Sequence, residues 1–196
     1  MHIDSQRVRR VKVGTEKANK LLSGNPSGKE KESETMKTVK AGEVVEVVKS
    51  GEIFDAVESG GEVLRVETGG WVVFVLAGGV VECVAAGGRV VRVSAGGRVN
   101  LVEAGGVVEI VAAGGVVECV ESGGRVVRVS AGGVIKRVAA GGRVMRVWAG
   151  GRVIRVETGG VIQRVSAGGV VECVEDRGEV VRVEDGGKIL KDNRTN

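Results

Sequence analysis

The sequence predicts an all-β fold, a single-chain β-solenoid (β-helix) of nine-residue units, and three observations lead there. From Ser59 onward the chain reads small residue, Gly, Gly, variable, Val, variable, variable, Val, variable, for fifteen consecutive units ending at residue 193. Fourteen Gly-Gly pairs recur nine apart from Gly60 to Gly186, with Arg177-Gly178 the one departure. The composition agrees: 34 glycines, two tryptophans, two phenylalanines, no tyrosine, and an apolar content made mostly of valine. Valine is β-branched and suits a strand. A compact globular core normally draws on more aromatic volume. Glycine at this density without a triplet period excludes collagen.

In chain order, residues 1–39 form a basic N-terminal tail or cap that differs from everything after it. It holds the only proline and histidine, Pro26 and His2. Residues 7–13 (RVRRVKV) suit a short strand, and Thr15 to Leu22 two helical turns with Thr15 as N-cap. Residues 23–37 are polar and charged, which predicts a linker or disordered tract. Residues 40–58 carry an irregular version of the pattern (AGEVVEVVK, SGEIFDAVE), and 59–193 the regular one. Residues 194–196 are a polar end. The last regular unit, from Asp185, puts Asp192 where Val is otherwise constant, which blunts that end.

Within a unit, numbered from its small residue, the Gly-Gly pair predicts a tight corner and the next five or six residues a short strand. One unit cannot bury its valines, whereas stacked units can, with backbone ladders running between coils. The fifth position is Val or Ile in all fifteen units and the eighth is Val in fourteen. Three apart, they would face opposite sides of a straight strand. A bend or bulge between positions six and seven is expected to return both to the interior. Coil size has two solutions. Cys83, Cys119 and Cys173 share position seven and lie 36 and 54 apart, both multiples of 18, which favours two units per coil. Val80, Val107, Val134 and Val161 recur at 27, which favours three. The preferred reading is 18.

No uncharged apolar run approaches the about eighteen residues of a membrane-spanning helix. The N-terminus is basic without an apolar signal core, so a cytoplasmic or virion-associated setting is the default expectation. An odd number of cysteines, three, does not suggest a disulfide framework.

Segments such as SGGRVVRVSAGG and SGGEVLRVETGG resemble the passenger repeats of self-associating autotransporter adhesins, over residues 59 to about 191. That resemblance implies a β-helix and an adhesive, self-associating role. The resemblance is expected to be confined to the repeats, since no signal-peptide pattern, C-terminal membrane-barrel pattern or Thr/Asn-rich face is read in these residues. The period also matches calcium-binding toxin nonapeptides, but those need Asp after the glycines, where Val, Glu or Arg stands here, so calcium is not expected.

No catalytic constellation, metal site, cofactor or small-molecule substrate is expected. The sole histidine is in the tail, and the cysteines form no Cys-x-x-Cys pair. They read as small hydrophobes. Charge is more informative. Residues 122–166 carry Arg125, Arg128, Lys136, Arg137, Arg143, Arg146, Arg152, Arg155 and Arg164 against Glu157 alone, a net +8, whereas residues 59–121 carry net −3. The simplest reading is that arginine stems cover valine surface while their heads stay wet. The functional reading is a polyanion-binding face. Trp71, Phe74 and Leu76 form an apolar patch, covered by the N-terminal segment (Leu21, Leu22) or used to dock a partner. Trp148 stands alone and is assigned no role. The functional expectation is a non-enzymatic rod that self-associates in a filament, surface layer or virion appendage. Its alternatives are a binding module for a polyanion or glycan, and a homotrimeric intertwined spike that requires a nine-residue stacking step.

Overall fold

A computed structural model describes residues 37–194. The expectations for the tail, including a cap by Leu21 and Leu22, lie largely outside them. Among the described residues there are eighteen strands and no helix, and every strand except the first has five residues. The odd-numbered strands are β1 (Lys37–Val39), β3 (Ile53–Val57), β5 (Trp71–Val75), β7 (Arg89–Val93), β9 (Val107–Val111), β11 (Arg125–Val129), β13 (Arg143–Val147), β15 (Val161–Val165) and β17 (Glu179–Val183). The even-numbered strands are β2 (Val44–Val48), β4 (Glu62–Val66), β6 (Val80–Val84), β8 (Arg98–Val102), β10 (Val116–Val120), β12 (Val134–Val138), β14 (Arg152–Val156), β16 (Val170–Val174) and β18 (Lys188–Asp192). Each set makes one nine-stranded parallel sheet, in which a strand pairs with the strands two before and two after it. The register settles coil size. Val116 pairs with Val134 and Val120 with Val138, a step of 18 residues and two units per coil. The first strand, β1, precedes the first recognisable unit and joins β3 through a register shift between Lys37 and Thr38.

The two glycines of each corner are there for different reasons. At Gly150 the φ angle is +73°, a region costly to a residue with a Cβ. Gly151 donates its N–H to the Trp148 carbonyl at 2.8 Å, closing a four-residue turn with positive φ at its third residue, the type II pattern. Gly151 itself has ordinary φ, but a Cβ there would lie 2.6 Å from the Val129 carbonyl oxygen of the preceding coil. The first glycine answers to a dihedral and the second to close packing. Arg177, the one substitution at a first glycine, keeps the left-handed conformation with φ 56°.

The interior is a double file of valines. From Val63 to Val174 the fifth- and eighth-position residues of every unit are fully buried, and no polar residue is buried with them among the described residues. The predicted bend is visible in the ladder. Between β10 and β12 the pairs are Val116–Val134, Val117–Ile135, Cys119–Arg137 and Val120–Val138, so the sixth position, Glu118 and Lys136, drops out of the register. That interruption lets residues three apart both face inward. Facing sheets pack about 10 Å apart, a gap that branched aliphatic side chains fill from both sides without aromatics. Phe54, near the N-terminal end, is the only buried aromatic among the described residues.

Candidate anion-binding face

The two-strand coil decides which sheet each variable residue decorates, and it divides the basic run. Arg125, Arg128, Arg143, Arg146 and Arg164 lie on the odd sheet (β11, β13, β15), while Lys136, Arg137, Arg152 and Arg155 lie on the even sheet (β12, β14). The two groups have different partners. On the even sheet Lys136 meets Glu118 at 2.9 Å, Arg137 meets Glu157 at 3.4 Å, Arg155 meets Glu175 at 3.6 Å, and Arg152 pairs with Glu172. On the odd sheet Arg164 meets Glu184 at 3.4 Å. Arg125, Arg128, Arg143 and Arg146 have no carboxylate partner among the described residues.

One spacing accounts for this split. In Arg89–Glu109, Arg98–Glu118, Arg137–Glu157, Arg152–Glu172, Arg155–Glu175 and Arg164–Glu184 the acid lies twenty residues after the arginine, one coil plus two positions. Twenty residues after Arg125, Arg128, Arg143 and Arg146 stand Met145, Trp148, Gln163 and Ser166. Within residues 122–166 the pairing rule fails at these four arginines alone; outside that stretch Arg65 and Arg92 also have Ala at that spacing.

They are also stacked on one another. Arg125 is in register with Arg143, Arg128 with Arg146, and Arg164 with Arg182. Like charges opposite each other on neighbouring strands are destabilising. Trp148, 41% exposed, relieves part of the strain, with the Arg128 guanidinium 4.8 Å and that of Arg146 5.5 Å from its ring centre. Met145 and Gln163 separate two shallow grooves on this face. One, of about 490 Å³, runs past Arg128, Arg146, Trp148, Arg164 and Arg182. The other, of about 380 Å³, is lined by Arg125, Arg143 and the corner glycines Gly123, Gly124 and Gly141. Trp148, unassigned from the sequence, thus belongs to the cluster. Its signal is its place twenty residues after Arg128, readable only once the coil length is known. Arg182 escapes a reading that stops at residue 166, although it continues the spacing of Arg128, Arg146 and Arg164 by 18.

The apolar patch lies on the same sheet nearer the N-terminus. Trp71 is 38% exposed, with Arg89 stacked 5.0 Å from its ring, while Phe74 and Leu76 are half-buried. Ile53, in register with Trp71, extends the patch. A wider hollow of about 790 Å³ beside the even strands mixes charges, and its Arg65 is held by Glu103 at 2.8 Å.

The cysteines lie on the even sheet, with Leu101 in register between Cys83 and Cys119, and all three are free thiols. Burial, reinforced by Glu103, pushes the Cys83 thiol up to about 11, so it is a poor nucleophile near neutrality. Among the described residues no three His, Cys, Asp or Glu side chains are grouped to hold a metal ion. No described helix is long and apolar enough to cross a membrane.

No family model matches the chain, and no curated protein matches it. Among solved structures it is similar to the TibC-catalysed hyper-glycosylated TibA55-350 fragment, at 22% identity, over 81% of this chain and 77% of that one, with a TM-score of 0.31.

Proposed function

We propose that this chain is a non-enzymatic structural rod that self-associates end to end. The observation that carries the reading is an uninterrupted stack of valine ladders whose terminal strands are open. Among the described residues β17 and β18 pair on one side only, and Val181, Val183 and Leu190 are 61%, 41% and 65% exposed. An unpaired strand edge beside exposed apolar groups is a template for further pairing. The even half of this end is blunted. Asp192 replaces the inward valine, and the Arg194 side chain donates to its carboxylate, holding that carboxyl below its ordinary range. The odd half keeps Val180 and Val183. Stacking of this kind is head-to-tail and lengthens instead of closing. It differs from an intertwined trimer, which needs a nine-residue stacking step in place of the 18 found within one chain.

Solution mass across a concentration series, with electron microscopy of the same samples, tests the proposal. Rods that lengthen with concentration are expected, and Val183→Lys is expected to shorten them. A discrete monomer at every concentration would sink it. A second reading, a binding module for an anionic ligand, is favoured by the four arginines of the odd face that lack carboxylate partners.

A further inference from the structure

We infer that the odd face from β11 to β17 is a binding site for a linear acidic polysaccharide, one bearing sulfate or carboxylate groups, held by Arg125, Arg128, Arg143 and Arg146 with Trp148. The inference rests on the binding-module reading and is independent of self-association.

Three observations combine. First, the fold neutralises arginines by a glutamate one coil and two positions on, and it withholds that partner at these four alone within residues 122–166. Second, the four guanidiniums form two columns, Arg125 over Arg143 and Arg128 over Arg146, a stacking of like charge that costs stability unless an anion lies across it. Guanidinium forks bind carboxylate and sulfate oxygens in pairs, so bridging anions turn that repulsion into charge-assisted hydrogen bonding. Third, the columns are extended and shallow. Arg164 and Arg182 continue the second column, so cations repeat along the solenoid at the strand spacing of about 4.8 Å. A linear polymer with regularly placed charges matches that repeat better than a compact ligand does.

Trp148 favours a sugar over a nucleic acid. Grooves for single-stranded nucleic acid offer successive aromatic platforms for base stacking. Here one aromatic lies beside the second column, with that column's two guanidiniums already at its ring. The apolar surface it still exposes suits the C–H face of a single pyranose.

The test uses the full chain, a heparin oligosaccharide and a single-stranded oligonucleotide of similar charge, titrated calorimetrically at about 0.15 M salt. Replacing Arg125, Arg128, Arg143 and Arg146 together by Gln is expected to weaken heparin binding at least tenfold. The matched change on the other sheet, Lys136, Arg137, Arg152 and Arg155 to Gln, removes the same charge and is expected to weaken it less than threefold. Met145→Glu with Gln163→Glu and Ser166→Glu leaves every arginine and Trp148 in place and supplies the missing partners of Arg125, Arg143 and Arg146. That variant is expected to melt at or above the wild-type temperature and to lose heparin binding, so lost binding cannot be ascribed to unfolding. Equal losses from both glutamine sets would reduce the effect to net charge and overturn the site. Tighter binding of the oligonucleotide than of heparin would overturn the polysaccharide and leave the binding-module reading standing. No binding of either probe by the wild-type chain would overturn both.

Discussion

Arg177 occupies a place where the fold asks for glycine. A left-handed φ of 56° costs a residue with a Cβ about 1–2 kcal/mol, partly offset because arginine orders less backbone entropy than glycine on folding. Arg177→Gly is therefore expected to stabilise the protein by about 0.5–1 kcal/mol in denaturant titration. At the adjoining kind of position the sign reverses. Gly151→Ala forces a Cβ against the Val129 carbonyl and is expected to destabilise by about 1–3 kcal/mol. Cys83 gives a pH prediction. Burial raises its folded pKa to about 11, above the ordinary thiol value of 9.0, so the folded state holds the proton more tightly than the unfolded state. Its contribution is complete below pH 9 and is lost as pH rises toward 11, and a Cys83→Val variant should lose less stability over that window. At this scale much was legible in the sequence. A Gly-Gly pair at fixed spacing declares a corner, and two constant valines declare an interior. What sequence could not supply was that the two glycines serve different ends, because the carbonyl that excludes a side chain at Gly151 belongs to a different coil.

The strand is the element on which both burial and charge are organised. From β4 to β16 each strand buries its second and fifth residues, with the ladder interrupted between them, and of the other strand residues there only Cys83 and Cys119 are also buried. Truncating one inward residue opens a cavity that neighbouring coils cannot fill, since their own valines are locked by register. Val126→Ala is expected to cost about 2 kcal/mol by the two lost methyl groups and the void, read from the shift in denaturant midpoint. The outward ion pairs are weaker individually. Arg137 and Glu157 are solvent-accessible at 48% and 32%, and a double-mutant cycle on them should give a coupling of about 0.2–1 kcal/mol that fades with salt. The candidate site was legible only in part for this reason. Nine basic residues in one stretch are plain in the sequence, but alternate strands send them to opposite sheets, and four acquire glutamate partners on the even side. The net charge of a stretch of sequence is not the charge of a face.

At the scale of the whole molecule, an interior that barely varies supports two exteriors that differ. The even sheet is laced by ion pairs from Arg98 to Glu175. The odd sheet runs from an apolar zone around Ile53, Trp71 and Phe74 to a zone of stacked arginines ending at Arg182, in which Arg164 alone is paired with a carboxylate. A repeat scaffold whose coils contact only their neighbours lets such faces change without disturbing the core. All of this depends on the coil being 18 residues, since a 27-residue coil would redistribute every variable position. Spin labels on cysteines introduced at Ser94, Ala112 and Glu121, with the native cysteines replaced, decide the matter. The 94/112 pair should show strong dipolar broadening from labels stacked on adjacent coils about 5 Å apart, and the 94/121 pair should not. Broadening in the 94/121 pair and its absence in 94/112 would contradict the coil, and with it the division of the arginines between two faces.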